Sequence, residues 1–457
     1  MIKKVRIAYI GGGSRLWARN LMSDLALEKE VGGTVALYDI DFQSAKNNAF
    51  IGEQLMKHPK AVGQWDFEVC QTLEEALKGA DFVFISILPA TFDQMADYVH
   101  IPEKWGILQP VGDTAGVSGL FRALIVMPMY EGFAKAIEKH CPNAWVFNFT
   151  NPMTMCVQIL YHVFPKIKAF GNCHEVFSTQ KILARALEEK TGIKAHHFDI
   201  HINPMGINHF TWITSASYKD IDLFPIYLEF ALKHQKEGLD DGKYPSGLTV
   251  FQSAEKVKLD LFLKTGVIAA AGDRHLVEFL PQSMYLKDRA TVEQWKFFLT
   301  SVAFRKENME KGNRSALNII AGKEEVKIVP SGEEGIAQLK ALLGLEELVT
   351  NVNMPNVGQI PNLPIGQVVE TNALFRRDYV HPVFAGDLPE FPLSITQHHV
   401  HTHQELLKAF DHKNLSYAKK ALRQDPSVSH LPAKEIDAMF DEIVSKMNPY
   451  LDYYKAK

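Results

Sequence analysis

Cysteine is scarce in this chain: four residues (Cys70, Cys141, Cys156 and Cys173) among 457. So few thiols make no disulfide framework, and they point to the reducing cytoplasm. An excess of either charge is missing too. Lysine and arginine number 49 against 53 acids, a net charge of −4, which excludes the electrostatic footprint of a nucleic-acid binder. No apolar stretch is long enough and free enough of charge to span a bilayer, so no membrane partner is expected. Low-complexity tracts and internal repeats are also lacking, which excludes solenoids and repeat arrays. What remains, 46% hydrophobic and 22% charged, is the make-up of a folded globular protein. Its length exceeds one ordinary core, so two large domains are expected.

The first stretch, "MIKKVRIAYIGGGS", is basic and then apolar. Its apolar run is short, carries Arg6 and meets glycines without a small-residue cleavage pattern. It reads as a first β-strand rather than a signal peptide. From there to about residue 195, apolar strand-like runs alternate with helix-like ones. "KVRIAYIGG", "GTVALYDID", "DFVFISIL", "AWVFNFT" and "IKAFG" are the strands, and this alternation predicts a doubly wound parallel sheet. After about 195 the character changes. "HHFDIHINPMGINHFTWITSASY" reads as antiparallel strands, long helical stretches follow from about 225 to 345, and "PLSITQHHVHTHQELLKAF" reads as a helix. The expectation is an α/β chain: an N-terminal Rossmann-like domain over 1–195 and a helix-rich mixed α/β domain over 196–457.

Gly11, Gly12, Gly13 and Ser14 stand where the first strand turns into a helix. Gly11 and Gly13 fit the first two positions of G-x-G-x-x-G, a turn that lets a pyrophosphate reach backbone N–H groups at a helix N-terminus. Leu16 holds the third position, so the motif is incomplete. Asp39 ends the second strand, where an acid binds a ribose 2′-hydroxyl, and a carboxylate there selects NAD over NADP. Asp41 competes for the same role.

Other polar clusters follow apolar strands. They are "GDTAG" with Asp113 and Thr114, "NFTNP" with Asn148, Thr150 and Asn151, "GNCHEV" with Cys173, His174 and Glu175, and "AGDRHLVEF" with Asp273, Arg274, His275 and Glu278. Each alone is a plausible turn or cap. Together they suggest one site built from many strand ends. Cys173, His174 and Glu175 cannot all face one ligand from a regular element. Cys173 and His209 are too few for a closed structural zinc site but suit an open one; from spacing alone, His209 reads as an ordinary histidine. "QHHVHTH" places His399 and His403 one helical turn apart without H-E-x-x-H, and it reads as part of an amphipathic helix.

Taken in order, "IGGGS", "LYDID", "NFTNPM", "CHEV", "GINHF" and "GDRHLVEF" resemble glycoside hydrolase family 4, whose members depend on NAD and a divalent metal. The matching elements span roughly residues 5 to 280. The resemblance implies a Rossmann fold related to lactate and malate dehydrogenases. It also implies an exception to two-carboxylate glycoside hydrolysis. NAD transiently oxidises sugar C3, a base removes the C2 proton, a metal offsets the enediolate charge, and the C1 bond breaks by elimination before water adds. It implies Mn²⁺ on Cys173 and His209, and Asp273 as base. His174 or Asp113 is the group that assists the leaving oxygen. Asn148 matches a cofactor contact, and Asn151, Asn208 and His275 match substrate contacts.

"CHEV" resembles the α-galacturonidase subgroup, whereas α-galactosidases resemble C-H-S-V and phospho-α-glucosidases C-D-M-P. A uronate carboxylate calls for an arginine, and Arg15, Arg122 and Arg274 are the candidates. Glu175 would repel that carboxylate if it faced it, so it is expected to point to a hydroxyl, a basic group or a subunit interface. Relatives form homo-dimers or homo-tetramers. The alternatives are a family 4 α-galactosidase or α-glucosidase, an NAD-dependent 2-hydroxy acid dehydrogenase, and a non-catalytic NAD-binding protein.

Overall fold

The structure, a computed structural model, describes residues 2–242, 244 and 250–455. Six strands in the first part are β1 (Lys3–Ile10), β2 (Val31–Tyr38), β3 (Gln64–Val69), β4 (Phe82–Ile85), β5 (Trp145–Asn148) and β6 (Lys168–Gly171). They pair in parallel in the order 3-2-1-4-5-6, the doubly wound order of a Rossmann sheet. The β-strand period of two divides their side chains between two cores. Ala8, Ile10, Val83 and Ile85 join the core under the long helix Gly116–His140. Ile7, Tyr9, Phe82 and Phe84 join the opposite core under the helices Trp17–Leu27 and Phe42–Met56.

The second part extends the same sheet. Its strands are β7 (His201–Ile207), β8 (Phe210–Tyr218), β9 (Ile221–Asp222), β10 (Ile268–Ala269), β11 (Leu348–Pro355), β12 (Val368–Arg376) and β13 (Tyr379–Pro382). β11 runs antiparallel to β6 through the pair Asn353↔Gly171, and the sheet continues through β12, β7, β8 and β10. The described residues therefore form one thirteen-stranded mixed sheet, parallel on one side and antiparallel on the other. The two kinds of pairing meet at a single residue pair, and we propose the division near residue 195 as the boundary between two folding units.

β7 and β8 form where antiparallel strands were expected. The expected long helices of 225–345 are shorter pieces, the longest being Val302–Ile320; residues 243 and 245–249 of that stretch lie outside the described ones. β11 has no counterpart among the strands expected from the sequence. Among the described residues, no helix is long and apolar enough to cross a membrane.

Candidate active site

The glycine turn closes β1 onto the helix Trp17–Leu27. Gly11 and Gly12 donate their N–H groups to the Tyr38 carbonyl, each at 2.9 Å. The Gly13 N–H donates to Asp39 Oδ2 at 2.8 Å, and the Asp41 N–H to Asp39 Oδ1 at 2.8 Å. Asp39 thus ties the turn to the end of β2; burial raises its pKa despite these bonds. Asn48 donates to the Gly12 and Ser14 carbonyls, and Ser14 accepts from the Trp17 N–H. Leu16 precedes the helix and supplies no side-chain cap, so first-turn N–H groups remain for an external acceptor. Gly11 has φ +93°, and a Cβ there would sit 2.0 Å from the Ser86 carbonyl oxygen. The turn, the acid and the open helix end fit a dinucleotide. Arg15 is hydrogen-bonded to Asn313 and lies 3.7 Å from Asp41.

Strand ends supply the next groups. Asn148 is fully buried. It accepts from Tyr130 Oη at 2.5 Å and donates to the Thr150 carbonyl, so it shapes the turn after β5. Asn151 has a buried side-chain oxygen without a partner, and its carbonyl accepts from Arg122 Nε at 2.9 Å. After β6, burial pushes the Cys173 thiol up, and Glu370 and Glu175 push it the same way. Asn208 lies against Cys173 and Glu370. His174 faces elsewhere: it packs on Trp17, with ring centroids 5.9 Å apart, and pairs with Glu333 at 3.1 Å. Burial opposes its charged form, but the Glu333 pair outweighs it and raises the pKa.

The convergence lies between the loop after residue 105, the β7–β8 turn and the segment from Gly272. Donor atoms of Asp113, His209 and His275 all lie within 4.8 Å of one another. His209 is buried with φ +64° and meets Thr114 Oγ1 through Nδ1 at 2.9 Å. Thr114 Oγ1 in turn donates to Asp113 Oδ1 at 2.7 Å. The His209 and His275 rings lie 3.7 Å apart between centroids. Burial pushes His209 down to about 3 and lowers His275 as well, so both rings are neutral near pH 7. Burial works against the Asp113 carboxylate, yet His275, Arg122, His209 and Arg305 hold its pKa well below the usual range. Glu175 likewise overcomes burial, through the three histidines and the Gly272 N–H, and falls to about 2. Its Oε2 accepts from that N–H at 2.9 Å, and its Oε1 lies 3.9 Å from His275 Nε2. Glu175 faces a basic group, one of its expected directions.

Two neighbours of His275 build the surrounding backbone. Asp273 is fully buried, and its two oxygens accept from the Val257 and Lys258 N–H groups at the start of the helix Lys256–Thr265. Burial, then Glu255, raises its pKa. Arg274 donates to the carbonyls of Pro110 and Phe298 and to Thr300, and burial lowers it to about 10. Glu278, one turn on, accepts from the Val111 and Gly112 N–H groups at 2.7 and 2.8 Å, while its Oε2 is buried without a partner. Arg274 and Glu278 hold the loop that carries Asp113.

Burial raises Glu278 from 4.5 to about 8. A carboxyl with a raised folded pKa binds its proton more tightly folded than unfolded. Its contribution to stability is therefore greatest below pH 4.5 and is lost as pH rises to 8. Glu278→Gln keeps an acceptor for the two amides and has no proton to lose. Thermal melts are expected to show a flatter decline for the variant than for the native protein over that interval. Parallel declines would refute the assignment.

The structure therefore gathers Asp113, His209 and His275, with Glu175 beside them. It places His174 on the Trp17 side, toward the glycine turn, and Asp273 behind the site at a helix start. Sequence reasoning did not single out Glu370 or Arg305. Glu370 is buried on β12 and accepts from Thr211 and Asn351. Arg305 donates to the Val111 carbonyl at 2.7 Å and has a buried Nε without a partner. A lone acid inside an apolar strand was a signal for the first, and nothing in its helix marked the second. His399 and His403 fall on the helix Glu390–His412, where His399 bonds to the Phe279 carbonyl and His403 to Gln367.

A Rossmann sheet with a dinucleotide-type turn, joined to a partly buried acid–imidazole cluster, defines a two-part enzyme architecture. The chain belongs to glycoside hydrolase family 4: the family 4 glycosyl hydrolase profile matches residues 6–189, and that of its C-terminal domain residues 204–428. It is a glycosyl hydrolase. It is similar to the α-galacturonidase of Thermoanaerobacterium saccharolyticum, at 51% identity over 458 residues, covering 100% of this chain and 98% of that protein. The crystal structure of the lplD protein of Bacillus subtilis superposes with a TM-score of 0.92 at 45% identity, covering 97% of this chain and 100% of that one. A 6-phospho-α-glucosidase from gut microorganisms, solved with NAD and Mn²⁺, shares the fold with a TM-score of 0.82 at 19% identity, covering 98% of this chain and 99% of that one.

Proposed function

We propose that the protein cleaves α-galacturonides by transient oxidation of the sugar followed by elimination and water addition. The observation that carries this reading is the 51% identity, over the whole chain, to an α-galacturonidase. Three guanidinium groups, Arg122, Arg305 and Arg274, lie within electrostatic reach of Asp113 and suit an anionic sugar. Glu175, turned to His275 and Gly272, would not oppose a uronate carboxylate.

The glycine turn with Asp39 is the cradle we assign to NAD, and Cys173 and His209 the groups we assign to a divalent metal such as Mn²⁺. The 6-phospho-α-glucosidase of the same fold holds both cofactors. When bound, the nicotinamide would accept hydride from sugar C3 and the ion would offset charge on the sugar oxygens. Asp113, half-buried with its pKa held low, and His174, with its raised pKa, are the groups we assign to leaving-group assistance. Asp273 is the group we assign as base on the resemblance alone; both its oxygens accept backbone N–H groups at a helix start, and burial raises its pKa. The four cysteines are free, which supports a cytoplasmic location.

The test is a panel of p-nitrophenyl α-galacturonide, α-galactoside and α-glucoside with NAD⁺, Mn²⁺ and a thiol reductant. Release from the galacturonide alone is expected, and preference for either neutral sugar would replace this reading with a neutral α-glycosidase. Substrate deuterated at C2 or C3 should react more slowly, with solvent deuterium entering the product at C2. A two-carboxylate hydrolase would show neither effect.

A further inference from the structure

Arg305 stands at the start of the helix Val302–Ile320. Its Nη2 donates to the Val111 carbonyl at 2.7 Å, which fixes the guanidinium beside the loop that carries Asp113. Its Nε is buried and bonds to nothing. A buried N–H left unpaired is costly, so this one marks an acceptor that the chain does not supply. Asp113 and Glu278 favour the charge of Arg305 from a distance, and among the described residues neither pairs with it. The other arginines are spent on the fold. Arg122 Nε donates to the Asn151 carbonyl at 2.9 Å. Arg274 Nε donates to the Phe298 carbonyl at 3.2 Å, and its Nη2 to the Pro110 carbonyl at 2.9 Å. Arg15 Nε is taken by Asn313, at the glycine turn. A carboxylate gripped by the side of a guanidinium takes Nε and one Nη together. In Arg15, Arg122 and Arg274 that edge is already committed through Nε, and in Arg305 it is not.

The helix itself links the two parts of the site. Two turns beyond Arg305, and so on the same face, Gly312 accepts from Arg19 and Asn313 from Arg15. One helix face thus runs from the glycine turn to the acid–imidazole cluster, with Arg305 at the cluster end. The charge there is positive. Arg122, Arg274 and Arg305 act on Asp113 or its neighbours, and burial raises Glu278 to about 8, so Glu278 does not offset them near pH 7.

We propose that Arg305 binds the C6 carboxylate of the uronate side-on, through Nε and one Nη, and so decides between an acid sugar and a neutral one. This rests on the reading that the protein takes α-galacturonides, and it names the residue that recognises the acid. Arg122 and Arg274 shape the wall and add to its field, while Arg305 makes the contact. A hydroxymethyl group at C6 carries no charge for the fork to grip, so a neutral galactoside gains little from this position.

Isothermal titration of the full-length protein with D-galacturonate and with its methyl ester, NAD⁺ and Mn²⁺ present, tests this. The ester keeps the ring hydroxyls and removes the charge. The native protein should bind the acid far more tightly than the ester. Arg305→Met is expected to weaken the acid by about 100-fold or more, the effect of losing two charge-assisted hydrogen bonds, and to leave the ester within about 3-fold of native. Arg305→Lys keeps the charge without the fork and should weaken the acid about 10-fold. Circular dichroism should find both variants folded; should Arg305→Met fail to fold, Arg305→Lys decides. Acid binding at native strength by folded Arg305→Met, or by Arg305→Lys where it decides, overturns the proposal. So does an equal loss of acid and ester, which would mark Arg305 as a brace for the Val111 carbonyl. A native protein that binds the acid no more tightly than the ester sinks the uronide reading and the proposal with it.

Discussion

Asp273→Ala is expected to melt well below the native protein and to lose about 3 kcal/mol or more of stability. Asp273 is fully buried, and its carboxylate is the acceptor for two backbone N–H groups, at 3.1 Å from Val257 and 2.9 Å from Lys258. Alanine leaves both donors buried without a partner, at about 1–3 kcal/mol each. The loss is a large share of the stability of an ordinary folded chain, about 5–15 kcal/mol. It also spreads. Lys258 is buried, paired with Glu255 at 2.8 Å and with Thr179 at 2.7 Å, and these groups lie behind the backbone that carries Gly272 and His275. Asp273→Asn keeps one acceptor oxygen and should lose less. Thermal melts followed by circular dichroism distinguish the two. An alanine variant that melts with the native protein would show that the helix start does not depend on this side chain. The Asn variant then reports on chemistry: folded and inactive, it supports a base; folded and active, it leaves Asp273 as an anchor alone.

The parallel half of the sheet was legible because its strands are unbroken apolar runs. β4 (FVFI) and β5, with their side chains buried on both faces, announce themselves by composition. β11 escaped because Thr350, Asn351 and Asn353 interrupt the apolar pattern while being buried. They are polar for local reasons: Asn351 donates to Glu370 and to the Cys173 carbonyl, and Asn353 to Met153. Pattern rules read such residues as solvent-facing, and they fail where a strand lines a polar interior.

The site divides in the same way. "GDRHLVEF" was legible as a cluster, but its four polar side chains leave one short helix in different directions. Only His275 joins Asp113 and His209, while Asp273, Arg274 and Glu278 brace backbone. Neighbouring positions in sequence gave no means of telling the braces from the site. "CHEV" behaves alike, with His174 directed at Trp17 and Glu333 and Glu175 at His275. The pairing of Glu175 with the His275 ring is a contact far apart in sequence, and no local spacing encodes it.

Gly11→Ala is expected to abolish dinucleotide binding, raising the NADH dissociation constant at least about 100-fold, equivalent to about 3 kcal/mol. Two effects act at this position. The backbone stands at φ +93°, where a β-carbon costs roughly 1–2 kcal/mol. The added carbon would also sit 2.0 Å from the Ser86 carbonyl oxygen, and that carbonyl belongs to backbone that cannot swing aside. The Ser86 N–H is itself bonded to the Ile10 carbonyl at 3.0 Å, so pushing Ser86 away strains the join between β1 and β4. The alternative is for the turn to move. That withdraws the Gly11 and Gly12 amides from Tyr38 and the Gly13 amide from Asp39, dismantling the link between the turn and the acid we assign to the ribose. Gly79 supplies the control. It has φ +71°, but a Cβ there meets nothing within 4 Å. Gly79→Ala should therefore show the conformational cost alone, a shift in melting temperature with NADH binding unchanged. NADH fluorescence titration of both variants separates the two effects. Native affinity in a folded Gly11→Ala protein would show that the turn does not cradle the dinucleotide.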